Sequence, residues 1–181
     1  MSWQPVVEDL VAERGSRLVA YAAMLTSHDR DAEDLFQDAL VKCFSRRRAV
    51  DNVGDAEGYV RRAMQTLVID RARSRDVRRR AATRAFDREP DPADLEAGLD
   101  VRRALRELSP RERVCVVMRY FDDLTIAQIA ERLGLAEGTI KRYLSDATKA
   151  LAPHVGEDVE FDVGPERVDV LASKSRKRSG S

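Results

Sequence analysis

The sequence is poor in the residues that build sheets and disulfide frameworks. Aromatic residues make up 6% of the 181 positions and there are nine glycines, which favours helices over sheets. The two cysteines, Cys43 and Cys115, are far from any Cys-x-x-Cys spacing, and each lies within an apolar helical pattern. We therefore expect an all-α protein of the cytoplasm with two reduced thiols in its core.

Long apolar runs and catalytic motifs are also missing. No run is long enough to span a membrane, and the N-terminus lacks the basic-then-apolar pattern of a signal sequence. The two histidines, His28 and His154, lie beside predicted helix ends without a Cys or carboxylate array at ligand spacing. Because a glycine-rich phosphate loop and a nucleophile elbow are absent too, we reject an enzyme and expect neither a cofactor nor a metal.

Charge is balanced overall but strongly segregated along the chain. Lys+Arg and Asp+Glu both number 32, yet the segment from Arg61 to Arg88 has ten arginines against three acidic residues. This segment is either a phosphate-binding surface or a solvated helix end. The segment from Glu89 to Asp100 has five acidic residues, two prolines and no basic residue, which is typical of a poorly ordered linker. We predict a helical domain over 1–82, a linker over 83–99, a second helical domain over 100–153 and a disordered tail over 154–181.

The first domain is predicted to contain three helices, over 5–26, 31–47 and 57–80, with a polar loop over 49–56. The second helix has a clear apolar stripe and an acidic ridge on its other side, for which a solvated face is the simpler explanation. The third helix has one stripe that faces a core. A second stripe lies on its reverse face, formed by Arg62, Gln65, Thr66, Ile69 and Arg73.

The second domain is predicted to be a four-helix domain. After a helix over 101–108, Ser109, Pro110 and Glu112 form a capping box that opens a helix with Val114, Val117, Met118 and Phe121 toward the core. Two further helical patterns follow over 125–151, separated by Gly134, and the last has a polar, cationic outer face. This pattern predicts a DNA-binding helix-turn-helix, and an ordinary αα-corner is the alternative.

Several short motifs in this order resemble an extracytoplasmic-function (ECF) sigma factor of bacterial RNA polymerase. They are Asp31-Ala-Glu-Asp-Leu-Phe-Gln37, Tyr59-Val-Arg-Arg62 with Asp70 and Arg73, Ser109-Pro-Arg-Glu-Arg113, Arg119-Tyr-Phe121 and Gly138-Thr-Ile-Lys141. The resemblance implies a sigma factor that directs core RNA polymerase to promoters and assists promoter melting. The first domain (region 2) would bind the polymerase clamp and the −10 element, and the second (region 4) would bind the polymerase flap and the −35 element. The expected partners are therefore core RNA polymerase, through its beta-prime and beta subunits, and promoter DNA.

The resemblance also implies roles for particular residues. The recognition helix would contact the −35 element through Glu137, Thr139, Lys141, Arg142, Ser145 and Lys149. The 49–56 loop would form a pocket for a flipped −10 base through Asn52, Val53, Gly54 and Asp55, and the reverse face of the third helix would track the single strand through Arg62, Gln65, Thr66, Ile69 and Arg73. The acidic ridge would bind the polymerase through Asp31, Asp34, Gln37 and Asp38.

Two questions stay open at the level of sequence. An autonomous helix-turn-helix regulator would explain the second domain, but it leaves the acidic ridge and the long linker without a role. The tail beyond Leu151 is longer than the minimal architecture requires. We expect this tail to modulate availability by docking on an anti-sigma protein or on the polymerase.

Overall fold

The computed structural model describes residues 4–45, 50–81 and 99–154, which form seven α-helices and no strand within these ranges. The helices are α1 (Gln4–Leu25), α2 (Arg30–Phe44), α3 (Val53–Ala81), α4 (Leu99–Glu107), α5 (Pro110–Tyr120), α6 (Ile126–Leu133) and α7 (Glu137–Leu151). The all-α prediction, with three helices before the predicted linker and four after it, is confirmed. Nearly all of the predicted linker and tail lies outside the described residues, so the domain boundaries stay a prediction.

The first three helices pack against one another through the predicted apolar stripes. On α1, Leu10, Leu18 and Leu25 are fully buried, and on α2 the same is true of Leu35. Full burial of such a side chain contributes about 1.5–3 kcal/mol to folding. The stripe recurs every three to four residues, so each helix can bury one face and keep the other in water.

The third helix begins earlier than the sequence predicted. Residues 53–56 belong to its first turn and not to a polar loop. Asn52 explains the difference, because its Oδ1 accepts a hydrogen bond from the Asp55 amide (2.9 Å) and its carbonyl accepts one from the Ala56 amide (3.1 Å). An asparagine in this position satisfies amides that the first turn would otherwise leave without a partner.

Capping residues fix the ends of α5 and α6. Ser109 and Glu112 form the predicted capping box at the start of α5, and Thr125 and Gln128 form a second one at the start of α6. One prediction for α5 was wrong: Phe121, expected in the core, is 49% exposed. The helix ends at Tyr120 and the chain turns there, so the apolar spacing no longer applies to the next residue.

Gly134 ends α6 in the left-handed conformation, with φ 63°. Replacing it with alanine should lower the free energy of unfolding by about 1 kcal/mol, because a Cβ is unfavourable at this φ. Urea denaturation followed by circular dichroism measures the change. Gly58 gives a control with the opposite sign: it lies exposed within α3 with open space around it, so alanine there should stabilise the helix by about 0.5–1 kcal/mol. Equal effects at the two positions would contradict the assigned backbone conformation.

The two halves of the chain pack on each other through α3 and α5. Arg61 of α3 pairs with Asp122 just after α5, and Asp76 further along α3 pairs with Arg111 at the start of α5. The order of these pairs is reversed between the two helices, so α3 and α5 run antiparallel. Buried apolar residues of both halves belong to one continuous cluster.

A buried arginine joins the halves. Arg113 on α5 is 1% exposed, and its guanidinium donates to the carbonyls of Leu105 (2.7 Å), Leu108 (2.9 Å) and Leu25 (3.3 Å), and to Ser27 Oγ (3.0 Å). These carbonyls lie at the C-terminal ends of α1 and α4, where helices leave acceptors unsatisfied and carry partial negative charge. Arg113 therefore caps a helix of each half with one side chain.

Candidate nucleic-acid interface

The second helix of the helix-turn-helix presents the predicted contact residues away from the core. On α7, Ile140, Leu144, Ala147 and Leu151 are buried. Of the residues predicted to contact the −35 element, Glu137, Lys141, Arg142 and Lys149 are exposed, and Thr139 and Ser145 are half-buried. The Arg142 guanidinium lies 5.5 Å from the centre of the Tyr143 ring, a cation–π distance that orients the charge. The helix thus offers a polar, mostly exposed face to a partner.

The predicted single-strand face on α3 is divided by the fold. Arg62, Thr66 and Arg73 are exposed as expected. Gln65 and Ile69 are not: they are 1% and 6% exposed, so the prediction that they lie on an open face was wrong. The second half of the chain covers them, because the α3 face that includes both residues also carries the contacts to Asp122 and Arg111.

The residues predicted for a base pocket form the beginning of α3. Asn52, Gly54 and Asp55 are exposed and Val53 is half-buried. Besides the backbone contacts described above, Asn52 Nδ2 donates to Asp55 Oδ2 (2.9 Å). The prediction of a loop over 53–56 was therefore wrong, because these residues form an exposed helix start in which Asn52 and Asp55 are hydrogen-bonded to each other. Their contact with a −10 base stays a prediction.

A polar cluster lies where α3 meets the turn after α5. The Asp122 carboxylate accepts hydrogen bonds from the Tyr21 hydroxyl (2.7 Å), from Gln65 Nε2 (2.7 Å) and from Arg61 (3.1 Å). The Arg61 guanidinium also stacks over the Tyr21 ring at 4.7 Å. Burial, and then the neighbouring Asp122 charge, raise the pKa of Tyr21 far above its ordinary value, so the hydroxyl stays protonated and donates.

Sequence comparison supports the resemblance on both halves of the chain. Residues 10–78 match the family description "Sigma-70 region 2", and residues 98–151 match "Sigma-70, region 4". The ECF RNA polymerase sigma factor SigL of Mycobacterium tuberculosis is 30% identical over 149 residues, which cover 78% of this chain and 84% of SigL. The chain belongs to the family of ECF RNA polymerase sigma factors. This is a family of DNA-binding transcription factors.

Two further matches agree with this assignment. The ECF RNA polymerase sigma factor SigE of Mycolicibacterium smegmatis is 29% identical over 164 residues, which cover 84% of this chain and 63% of SigE. The chain therefore spans less than two thirds of that relative. Among solved structures, the sigma factor RpoE of Bartonella quintana, in complex with the anti-sigma factor NepR, matches with a TM-score of 0.56 at 23% identity, covering 86% of this chain and 97% of RpoE. At that identity the match supports the fold alone.

The acidic ridge of the sigma factor lies along α2. Asp34, Gln37 and Asp38 are exposed and Asp31 is half-buried. Asp38 forms an ion pair with Arg71 of α3. Exposed pairs of this kind contribute little to stability, so Asp38 can exchange its partner at small cost.

Glu57 connects this sigma factor's α3 to α1. Its carboxylate pairs with Arg14 and, at 2.7 Å, with Arg61. Burial alone would raise the pKa of Glu57, but hydrogen bonds from the two arginines outweigh it and hold the pKa below 4.5, its ordinary value. The ionised carboxylate is therefore favoured in the folded state.

The depressed pKa of Glu57 predicts a specific acid sensitivity. Its stabilising contribution is complete above the unfolded carboxyl pKa and is lost as the pH falls through the lower folded value. The free energy of unfolding falls as the pH drops below about 4.5, and Glu57→Gln should make this fall less steep. The slope should change by at most about 1.4 kcal/mol per pH unit, which corresponds to the uptake of one proton. Urea denaturation at a series of acidic pH values measures this slope. Glu33→Gln, an exposed change on α2, is the matched control, and an equal flattening there would contradict the role of Glu57.

The remaining chemistry of the described residues is sparse. None of the helices in these ranges has the length and apolar content to cross a bilayer. Within the same ranges, no three His, Cys, Asp or Glu side chains are grouped as a metal ion would need. Neither Cys43 nor Cys115 is in a disulfide; Cys115 lies in the core as predicted, whereas Cys43 is only half-buried. Burial raises the pKa of the Cys115 thiol to about 12.

Proposed function

We propose that this sigma factor directs core RNA polymerase to promoters in the cytoplasm and assists promoter melting. The observation that carries the proposal is the match of both halves to sigma regions 2 and 4, each with a cationic, exposed helix face. The first half would bind the −10 element and the second the −35 element. A chain that bound only duplex operators would have no use for the first half.

The −35 element is assigned to α7. An α-helix fits the major groove, where the edges of the bases carry a distinct pattern of donors and acceptors. Lys141 and Arg142 are exposed near the start of α7 and can reach base edges, whereas Lys149, further along, is placed for a phosphate. Glu137, Thr139 and Ser145 complete the proposed contact set.

The −10 element is assigned to α3 and its N-terminal turn. Separating strands requires a surface that captures the unpaired strand, through cations along its backbone and side chains that touch bases. Arg62 and Arg73 are exposed about three turns apart on α3, and Thr66 lies exposed between them. The exposed Asn52 and Asp55 offer hydrogen-bonding groups at the beginning of the same helix.

Two protein partners are proposed. Core RNA polymerase would bind the acidic ridge on α2, where Asp31, Asp34, Gln37 and Asp38 lie on or near the surface. An anti-sigma protein is the second, because the structurally similar RpoE was solved in complex with one. Chains truncated after Leu151 would locate this interaction: unchanged transcription and unchanged partner binding would exclude the tail.

Run-off transcription tests the proposal directly. Core RNA polymerase is incubated with genomic fragments, with and without the purified chain, and new transcripts with defined start sites are expected only when the chain is present. An autonomous regulator would instead bind duplex DNA without polymerase and would start no transcript. The absence of new transcripts, together with no binding to core polymerase, would overturn the proposal.

A further inference from the structure

The contact between the two halves covers part of the face assigned to single-stranded DNA. Gln65 and Ile69 of α3 lie on the side that packs toward α5, and they are 1% and 6% exposed. Arg61 and Asp76 mark the two ends of this contact through their ion pairs with the other half. A DNA strand following α3 could reach Arg62 and Arg73 but not the two residues between them.

An acidic side chain of the second half, Asp122, lies against this part of α3. The Asp122 side chain is 9% exposed and takes one hydrogen bond from Gln65 Nε2 and another from Arg61, at 2.7 Å and 3.1 Å. Gln65 Nε2 also lies 2.7 Å from the Tyr21 hydroxyl oxygen, which it donates to, while the buried Gln65 Oε1 has no hydrogen-bond partner in the described residues. The donors of the amide are therefore satisfied within the protein, by groups that nucleic acid would have to replace.

The turn after α5 is shaped to deliver this carboxylate. The Asp122 amide donates to the Val117 carbonyl (3.2 Å), and the Leu124 amide donates to the Met118 carbonyl (3.1 Å). Between them Asp123 has a positive φ of 51°, which non-glycine residues adopt infrequently. The backbone is thus held in the turn that directs Asp122 toward α3.

We propose that the contact of Asp122 with Tyr21, Gln65 and Arg61 is an autoinhibitory clasp, in which a carboxylate of the second half holds the free chain closed over the single-strand face of α3. The inference rests on the proposed role of α3 in −10 binding. In the closed chain, Arg62 and Arg73 still attract phosphates, but no base can reach Gln65 or Ile69. Opening of the clasp, on polymerase or on captured DNA, exposes both.

The clasp has a measurable consequence for affinity. A ligand that binds only the open form binds with its intrinsic dissociation constant divided by the open fraction. Weakening the clasp must therefore tighten the binding of single-stranded DNA to the free chain, without any new contact to DNA. The gain in affinity stops once most molecules are in the open form.

Three variants of the full chain test this. Asp122→Lys places a second cation beside Arg61 and should open the clasp, and Tyr21→Phe removes one hydroxyl without changing any charge. Glu131→Lys makes the same charge change as Asp122→Lys on the exposed side of α6. The probe is fluorescently labelled single-stranded DNA of random sequence, about 12 nucleotides long, measured by anisotropy. Small-angle X-ray scattering of each free chain reports its radius of gyration.

We expect Asp122→Lys to tighten binding roughly tenfold or more and to increase the radius of gyration. Tyr21→Phe should tighten binding by about threefold, and Glu131→Lys by no more than about twofold. Equal tightening by Asp122→Lys and Glu131→Lys, or a Tyr21→Phe chain that folds and binds as the wild type does, would overturn the clasp.

Run-off transcription by the wild-type chain separates the two proposals. If it succeeds and the variants show no gain in strand binding, the clasp is wrong while the sigma-factor function stands. A different result contradicts both proposals: the wild type starts no transcript, and Asp122→Lys increases the radius of gyration without tightening the binding of single-stranded DNA. In that case α3 does not bind the −10 strand, and the clasp proposal is wrong as well.

Discussion

Replacing Arg113 with alanine is expected to lower the free energy of unfolding by about 3–5 kcal/mol. The guanidinium is 1% exposed and satisfies carbonyls at the ends of both α1 and α4. Alanine would leave these acceptors buried without a donor and would open a cavity the size of the lost side chain. Both effects act where the two halves meet, so the halves should lose their contact along with stability.

Urea denaturation followed by circular dichroism measures the effect, and two further variants serve as controls. Arg113→Lys keeps the positive charge but not the planar fork, so it should recover part of the loss. Arg103→Ala removes an arginine that is exposed on α4, and it should change the free energy of unfolding by less than about 0.5 kcal/mol. A loss from Arg113→Ala no larger than that from Arg103→Ala would show that the helix-end contacts contribute little.

The sequence predicted the helices well and the contact between the halves poorly. Helical periodicity identifies which face of α1 or α2 is apolar, and burial then follows, as for Leu18 and Leu35. The sequence places Arg113 in a motif but does not indicate that it is a core residue. Its burial depends on carbonyls from two distant helix ends, and no local pattern around an arginine reveals such partners.

The sequence contains a signal for the burial of Gln65 and Ile69. Both lie on the reverse face of α3, and Ile69 is an apolar residue in an otherwise polar stripe. We interpreted that isoleucine as a contact for bases. The structure shows that only Gln65 and Ile69 of this stripe are covered by the second half, while Arg62, Thr66 and Arg73 stay exposed. Periodicity distinguishes the faces of a helix but does not identify what covers each face.

The 49–56 segment illustrates a different limit. Its polar, glycine-containing sequence favours a loop, yet Asn52 is also a good helix cap, and Val53–Asp55 follow it as the first turn of α3. Both structures satisfy the local preferences. Ala56 of the added turn is fully buried, so packing within the first half favours the longer helix, and this tertiary contribution cannot be seen within the segment itself.

Replacing Arg62 and Arg73 together with alanine is expected to weaken promoter opening by polymerase roughly a hundredfold, about tenfold for each contact. Both side chains are exposed on α3, so folding should not change. The reason for the loss is that unpaired DNA needs cations along α3 to offset the cost of separating its strands. Permanganate reactivity of unpaired thymines in the promoter measures opening.

Lys141→Ala, measured in the same way, should affect binding to duplex DNA more than promoter opening. Lys141 is exposed near the start of α7, so its loss should weaken binding to duplex DNA that carries the −35 element by about tenfold. It should reduce promoter opening less than the α3 variants do. Arg17→Ala, an exposed arginine on α1, controls for the loss of positive charge alone. If Arg62, Arg73 and Lys141 variants damage duplex binding equally and leave opening unaffected, α3 does not capture the single strand. The first half would then serve polymerase binding alone, because α7 by itself would account for all recognition of DNA.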